Sequence, residues 1–248
     1  MLLSCDDLDD AINSLASFYG VKKHCIETMF NVKWPAFLSE DINHCDFSVN
    51  VELLSFVMAK HLNVSEPANI STYVSYYHRG RFDGSRKWYE SGLLPSSDGI
   101  RALFEALRDL IPRESFIKLM SRSLAIVDEQ ISLGGQSEEG PFGFASLEVA
   151  LGANKTGCDF SLPEFLIESS WVGREEERRQ LAEIIIKYLS PVVVKFQVEV
   201  ADSRSYVAWL WHYLWCKKFS IELPDLVPTY SGHGKAIQSE HILRIFPI

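Results

Sequence analysis

The 248-residue chain predicts an α+β fold, with a mainly helical N-terminal region over residues 1–70 and a mixed domain over residues 71–248. Three observations predict it. Apolar residues recur at helical spacing through the first region. From Tyr73 the spacing switches to period two. Helical stretches then alternate with strand-like runs near residues 75, 144, 195 and 244.

In the N-terminal region, Ile12, Leu15, Ala16 and Tyr19 repeat at helical spacing, as do Leu53, Leu54, Val57, Met58 and His61. Nothing there suggests chemistry, so the region reads as an accessory cap or a small helical subdomain. The opening MLLSCDDLDD has a Leu-Leu-Ser-Cys string like a lipoprotein processing site. It lacks a basic leader and acidic residues follow at once, so it reads as a frayed cytosolic N-terminus.

The stretch Tyr73 to Pro95 is the most informative. Val74, Tyr76 and His78 share one face of a strand over residues 72–79, and Tyr73, Ser75 and Tyr77 the other. Gly80 and Gly84 flank a turn, and a short amphipathic helix closes at Gly92. His78, Arg79 and Arg81, a polar triplet ending an aromatic strand, have no evident packing use and form the candidate ligand-facing edge.

Ser97 or Asp98 can cap a helix carrying Ile100, Leu103, Phe104, Leu107 and Ile111 on one side. Pro112 ends it, and a second helix runs to about Ile131. The glycine-rich segment 133–144 is a loop feeding a short strand or turn at Phe142 to Ser146. Ser161 to Glu164 forms a capping box. After Gly173 a charged helix turns Leu181, Ile184, Ile185 and Tyr188 inward, its charges forming a solvated face. Residues 192–200 are a strand, residues 206–219 a largely buried helix rich in tryptophan, and residues 241–246 a final strand.

Composition narrows the function classes. The chain is 47% hydrophobic and 23% charged, ordinary for a globular protein with a sizeable core. A net charge of -9 argues against a broad nucleic-acid-binding surface. No apolar run reaches the roughly 18 residues that span a bilayer. Five scattered cysteines without a C-x-x-C pair argue against a disulfide framework or a structural zinc, and no metal is expected. His24–Cys25 and His44–Cys45 are sequence neighbours whose side chains are expected to diverge. Gly232-His-Gly-Lys235 lacks the upstream glycine and downstream hydroxyl of a phosphate loop. The nucleophile elbow, the His-Glu-x-x-His zinc motif and the dinucleotide-binding glycine pattern are absent.

What remains is an ordered set of pieces: Tyr-Tyr-His78-Arg-Gly-Arg, Trp88-Tyr-Glu-Ser-Gly92-Leu-Leu-Pro95, Gly140-Pro-Phe142-Gly-Phe144 and Gln238-Ser-Glu240-His-Ile242. In this order they resemble the ADP-ribosyltransferase-like superfamily, in particular mono-ADP-ribosyltransferases of the bacterial toxin or defence kind. The resemblance spans residues 72–248 and implies a split two-sheet fold with helical insertions that holds NAD as substrate. It implies that His78 hydrogen-bonds a ribose hydroxyl or the nicotinamide amide, and that Arg79 or Arg81 meets the pyrophosphate. Phe142 or Phe144 would pack on the nicotinamide ring. Glu240 would stabilise the oxocarbenium cation as nicotinamide leaves, with Gln238 two positions before it. The acceptor would be a protein or a nucleic acid in the cytoplasm, and a protein inhibitor would be a further partner.

The chain departs from this pattern where the diphtheria-toxin-like group carries paired tyrosines and this chain carries phenylalanines. A second reading is therefore a non-catalytic interaction protein on a degenerate transferase scaffold. A third has His78 and the arginines handle phosphates in nucleic-acid processing.

Overall fold

The structure, a computed structural model, describes residues 1–32, 34, 47–65, 72–85, 87–135, 139–152, 162–166, 168–221, 223 and 230–248. It is α+β, as the sequence predicts. Among the described residues there are eight α-helices, a mixed four-stranded sheet in the order β1-β2-β4-β6 and a two-stranded sheet of β3 with β5. The strands are β1 (Leu2–Leu3), β2 (Thr72–Phe82), β3 (Phe142–Gly143), β4 (Ser190–Val200), β5 (Tyr230–Ser231) and β6 (Ile242–Pro247). The helices are α1 (Leu8–Tyr19), α2 (Lys23–Thr28), α3 (Phe47–His61), α4 (Ser96–Ala106), α5 (Arg113–Gly134), α6 (Leu147–Gly152), α7 (Glu175–Tyr188) and α8 (Arg204–Phe219). None of them is long and apolar enough to cross a membrane.

The chain forms two compact units. The first comprises Met1–Tyr76, Ala145–Val149 and Gln197–Pro224, and the second Tyr77–Phe144, Ala150–Phe196 and Asp225–Ile248. The predicted boundary at residues 70/71 lies close to the first crossing, but the chain crosses inside strand β2 and returns to the first unit twice.

In the first unit the N-terminus is not frayed. Leu2 and Leu3 pair in parallel with Tyr73 and Val74, and the Ser4 amide donates to Ser14 Oγ at 2.8 Å. The organising element is α8, whose residues Leu210 to Cys216 are all buried. A helix apolar on every side is stable only when surrounded, and α1 and α3 both pack on it. Trp211 Nε1–H donates to Tyr19 Oη at 3.0 Å, and the Tyr19 hydroxyl donates to the Ser55 carbonyl at 3.2 Å. This relay pins α8, α1 and α3 at one point. Trp211→Ala empties a fully buried site and breaks the relay, and should cost about 3–5 kcal/mol, measured by chemical denaturation.

His212 adds a pH dependence. Burial lowers its pKa from 6.5 to about 4. Above pH 6.5 the ring is neutral in both states and contributes nothing to the balance. As pH falls from 6.5 to 4 the unfolded chain takes a proton that the folded chain refuses, so stability is lost, by about 3 kcal/mol in all. Denaturation midpoints across this window should fall less steeply in His212→Phe.

In the second unit, Ile100, Phe104 and Leu107 of the α4 region pack with Phe116 and Leu119 of α5 and Leu181 and Ile185 of α7. Trp171 sits among them, its Nε1–H donating to the Phe165 carbonyl at 2.8 Å. Several local expectations are corrected here. Helix α4 starts at Ser96 without a side-chain cap, and Ser96 Oγ instead donates to the Glu139 carbonyl. Tyr188, expected inward, is exposed, because α7 ends there and the extended Leu189 takes the buried place. The predicted helix before Gly92 is a run of turns closed by i to i+3 bonds from Trp88, Glu90 and Gly92. The capping serine at 161 lies outside the described residues, as do Cys45 and Cys158.

Candidate functional site

All the predicted site residues lie in the second unit. Strand β2 continues through Gly80 to Phe82, further than the sequence predicts. Period-two alternation therefore extends across the polar triplet and separates its members. His78, Gly80 and Phe82 share one face, while Tyr77, Arg79 and Arg81 share the other.

Beside β2, Phe144 makes a single antiparallel bridge to Tyr77, with amide–carbonyl bonds of 2.9 and 3.0 Å. The chain then leaves β2. Phe142 and Gly143 pair instead with Ser231 and Tyr230 of β5. The main sheet and the small sheet thus fork at residue 143. His78 sits in this fork: its Nδ1 is 2.8 Å from the Phe142 carbonyl oxygen. A carbonyl only accepts, so Nδ1 carries the hydrogen. Burial lowers the pKa of the ring, and the bond to Phe142 opposes that shift without cancelling it. The imidazole is therefore neutral near pH 7, with its Nε2 lone pair as the remaining acceptor.

Aromatic rings stand beside His78 on this face. The Tyr89 ring stacks on Phe82 at 5.8 Å. Its hydroxyl lies 3.5 Å from where a Cβ on Gly80 would stand, as does the His78 ring. Burial pushes the Tyr89 hydroxyl well above its usual pKa, so it is a neutral donor. The ring of Phe196 on β4 meets Tyr230 of β5 edge-on at 5.3 Å, so Phe196 lies on the side of the small sheet, as His78 does. Ile242, directly opposite Phe196 in the ladder, shares that side.

Glu240 is exposed and stands in a 3₁₀ turn, Ser239–His241, that runs into Ile242. Gln238, also exposed, precedes this turn in extended conformation. The segment is tied to residues 92–93 by an antiparallel bridge between Leu93 and Ile237. The Gln238–Glu240 turn is thus held between two paired positions, Ile237 against Leu93 and Ile242 against Phe196.

Other predicted residues are placed elsewhere. Arg79 Nη1 donates to the Ala150 and Leu151 carbonyls in the last turn of α6, at 2.9 and 3.3 Å. Arg81 Nη1 donates to the Leu189 carbonyl at the end of α7, at 2.6 Å. Helix C-termini offer carbonyls without intrahelical partners and a partial negative charge, which suits a guanidinium. Phe144 is buried and, as Tyr77's bridge partner, lies on the face opposite His78, whereas Phe142 is partly exposed at the fork.

Sequence reasoning missed Tyr89 and Tyr230 as members of the His78 side. Tyr89 carried a faint signal, an aromatic pair just before Gly92, whereas Tyr230 follows a segment of no recognisable pattern. It also expected His24 and Cys25 to diverge, yet Cys25 Sγ lies 3.7 Å from His24 Nε2 on the surface of the first unit. Among the described residues no group of three or more His, Cys, Asp or Glu side chains is placed to hold a metal ion. Comparison with known proteins returns no family model, no curated protein and no solved structure that matches the chain.

Proposed function

We propose that the chain is a NAD-dependent mono-ADP-ribosyltransferase acting on a macromolecular acceptor, a toxin or defence effector of the cytoplasm. The supporting observation is the fork. It holds a neutral imidazole with one nitrogen committed to the Phe142 carbonyl and the other left as an acceptor. An acceptor at that point suits a ribose hydroxyl or an amide N–H of NAD. Phe142 and Tyr89 supply ring surface beside it, and Glu240 supplies the carboxylate.

In this reaction the bond from ribose C1′ to the nicotinamide nitrogen breaks, and its electron pair leaves with nicotinamide, which becomes neutral. Positive charge develops on C1′ and the ring oxygen. The Glu240 carboxylate stabilises that charge, and then receives the proton that the acceptor's nucleophile loses on attacking C1′. The pyrophosphate is assigned to neither arginine, because Arg79 and Arg81 hold helix ends on the other face.

One observation favours the interaction-protein reading. Phe144, the second of the two phenylalanines that stand where the diphtheria-toxin-like group carries tyrosines, serves the core and offers no surface to a ligand. Calorimetric titration with NAD separates the two. The transferase reading expects saturable binding that weakens in His78→Asn, and absence of binding to the unaltered chain removes it.

A further inference from the structure

The closest backbone approach beside the Gln238–Glu240 turn involves Gly92. Its φ is +81°, and a Cβ there would stand 1.9 Å from the Ile237 carbonyl oxygen, 2.9 Å from the Ile237 carbonyl carbon and 3.2 Å from that of Gln238. No side chain can occupy that space, and no rotamer change relieves the clash because the obstacles are backbone atoms. The approach lets Leu93 and Ile237 exchange two amide–carbonyl bonds, both of 2.9 Å. Leu93 and Ile237 are themselves buried, so the clamp is shielded from water.

Beyond Ile237 the chain turns outward. Gln238, Ser239 and Glu240 are all exposed, and the next fixed point is Ile242 against Phe196. Within the turn the His241 amide donates to the Gln238 carbonyl at 3.0 Å and the Ile242 amide to the Ser239 carbonyl. The path of an exposed glutamate is thus set by two anchors, five positions apart, and the first exists only because residue 92 is glycine.

We infer that Gly92 is a positioning residue for Glu240: the Gly92–Leu93 clamp on Ile237 fixes where the Gln238–Glu240 turn stands. The inference rests on the transferase reading for its catalytic consequence, not for its structural one. Gly84 provides the control. Its φ is +84°, so alanine there meets the same left-handed backbone strain, but a Cβ would meet nothing within 4 Å.

The test compares Gly92→Ala with Gly84→Ala by residue-resolved amide exchange and by nicotinamide release. In Gly92→Ala the hydrogen-bonded amides of His241 and Ile242 should exchange about tenfold faster or more, as the turn comes loose. In Gly84→Ala they should not change. With Glu240 misplaced, kcat should fall roughly 10- to 100-fold while KM for NAD stays within about threefold. If neither variant nor the parent turns NAD over, the transferase reading fails, and the exchange pattern still decides the clamp. Equal exchange in the two variants overturns the inference. Should Gly92→Ala not fold, the parent decides: the Leu93 and Ile237 amides must be protected like those of the β4–β6 ladder, and exchange as fast as Gln238 overturns it.

Discussion

Glu240→Gln should lower nicotinamide release from NAD by about 100- to 1000-fold while leaving the fold intact. The exchange is nearly isosteric and removes only the charge. A preformed anion facing a developing cation is the kind of contribution whose loss costs this much, because it acts in the transition state and hardly in the ground state. KM for NAD should therefore change little. Stability should stay within about 0.5 kcal/mol, because Glu240 is an exposed residue in a surface turn, where substitutions are usually tolerated. Steady-state kinetics and denaturation on the same preparations check both halves. A variant as active as the parent would take Glu240 out of the mechanism and leave NAD turnover to another group.

His78 should show the opposite division. His78→Ala removes two functions that belong to two nitrogens. Losing Nδ1–H leaves the Phe142 carbonyl without its donor, at about 1–3 kcal/mol of stability. Losing Nε2 removes the proposed acceptor for NAD, which should raise KM by about tenfold to a hundredfold. His78→Asn separates them. Its side-chain amide can stand where Nδ1 stood and donate to Phe142, but nothing replaces Nε2. Stability should thus recover in His78→Asn while NAD affinity does not. If both variants bind NAD like the parent, the imidazole serves only to brace the fork.

The two sheets were legible in the sequence to different degrees. Strands β2 and β4 announced themselves, because aromatic and β-branched runs with period two have few other uses. Helix α8 was also readable, since ten of its residues are buried and its sequence is apolar on every side. What sequence could not give was where β2 stops. Gly80 reads as a turn signal, yet here it lies inside the strand, and the true turn glycine is Gly84 with φ +84°. That difference of a few residues decides which face each member of the polar triplet takes. It sends Arg79 and Arg81 to helix ends that no local pattern could foretell, because the carbonyls they meet lie at residues 150, 151 and 189.

The candidate site follows the same logic. His78 stands out in the sequence because a polar residue ends an apolar strand. Its partner, the Phe142 carbonyl, is a backbone atom 64 positions away, and composition carries no trace of it. Phe142 and Phe144 looked equivalent by sequence. The bridge from Phe144 to Tyr77 and the departure of Phe142 toward β5 distinguish them, and a fork of this kind depends on long-range pairing that spacing alone does not encode. The division into two units shows the same limit. Residues 145–149 and 197–224 join the first unit through long-range packing that local spacing does not encode.

The most direct measurement follows NAD labelled in its adenosine half, incubated with the purified chain and a cell extract. Free nicotinamide and label bound to macromolecules are quantified together. Nicotinamide should be released, label should appear on protein or nucleic acid, and both signals should collapse in Glu240→Gln. Absence of release in the presence of extract, together with absence of NAD binding to the unaltered chain, would rule out the transferase.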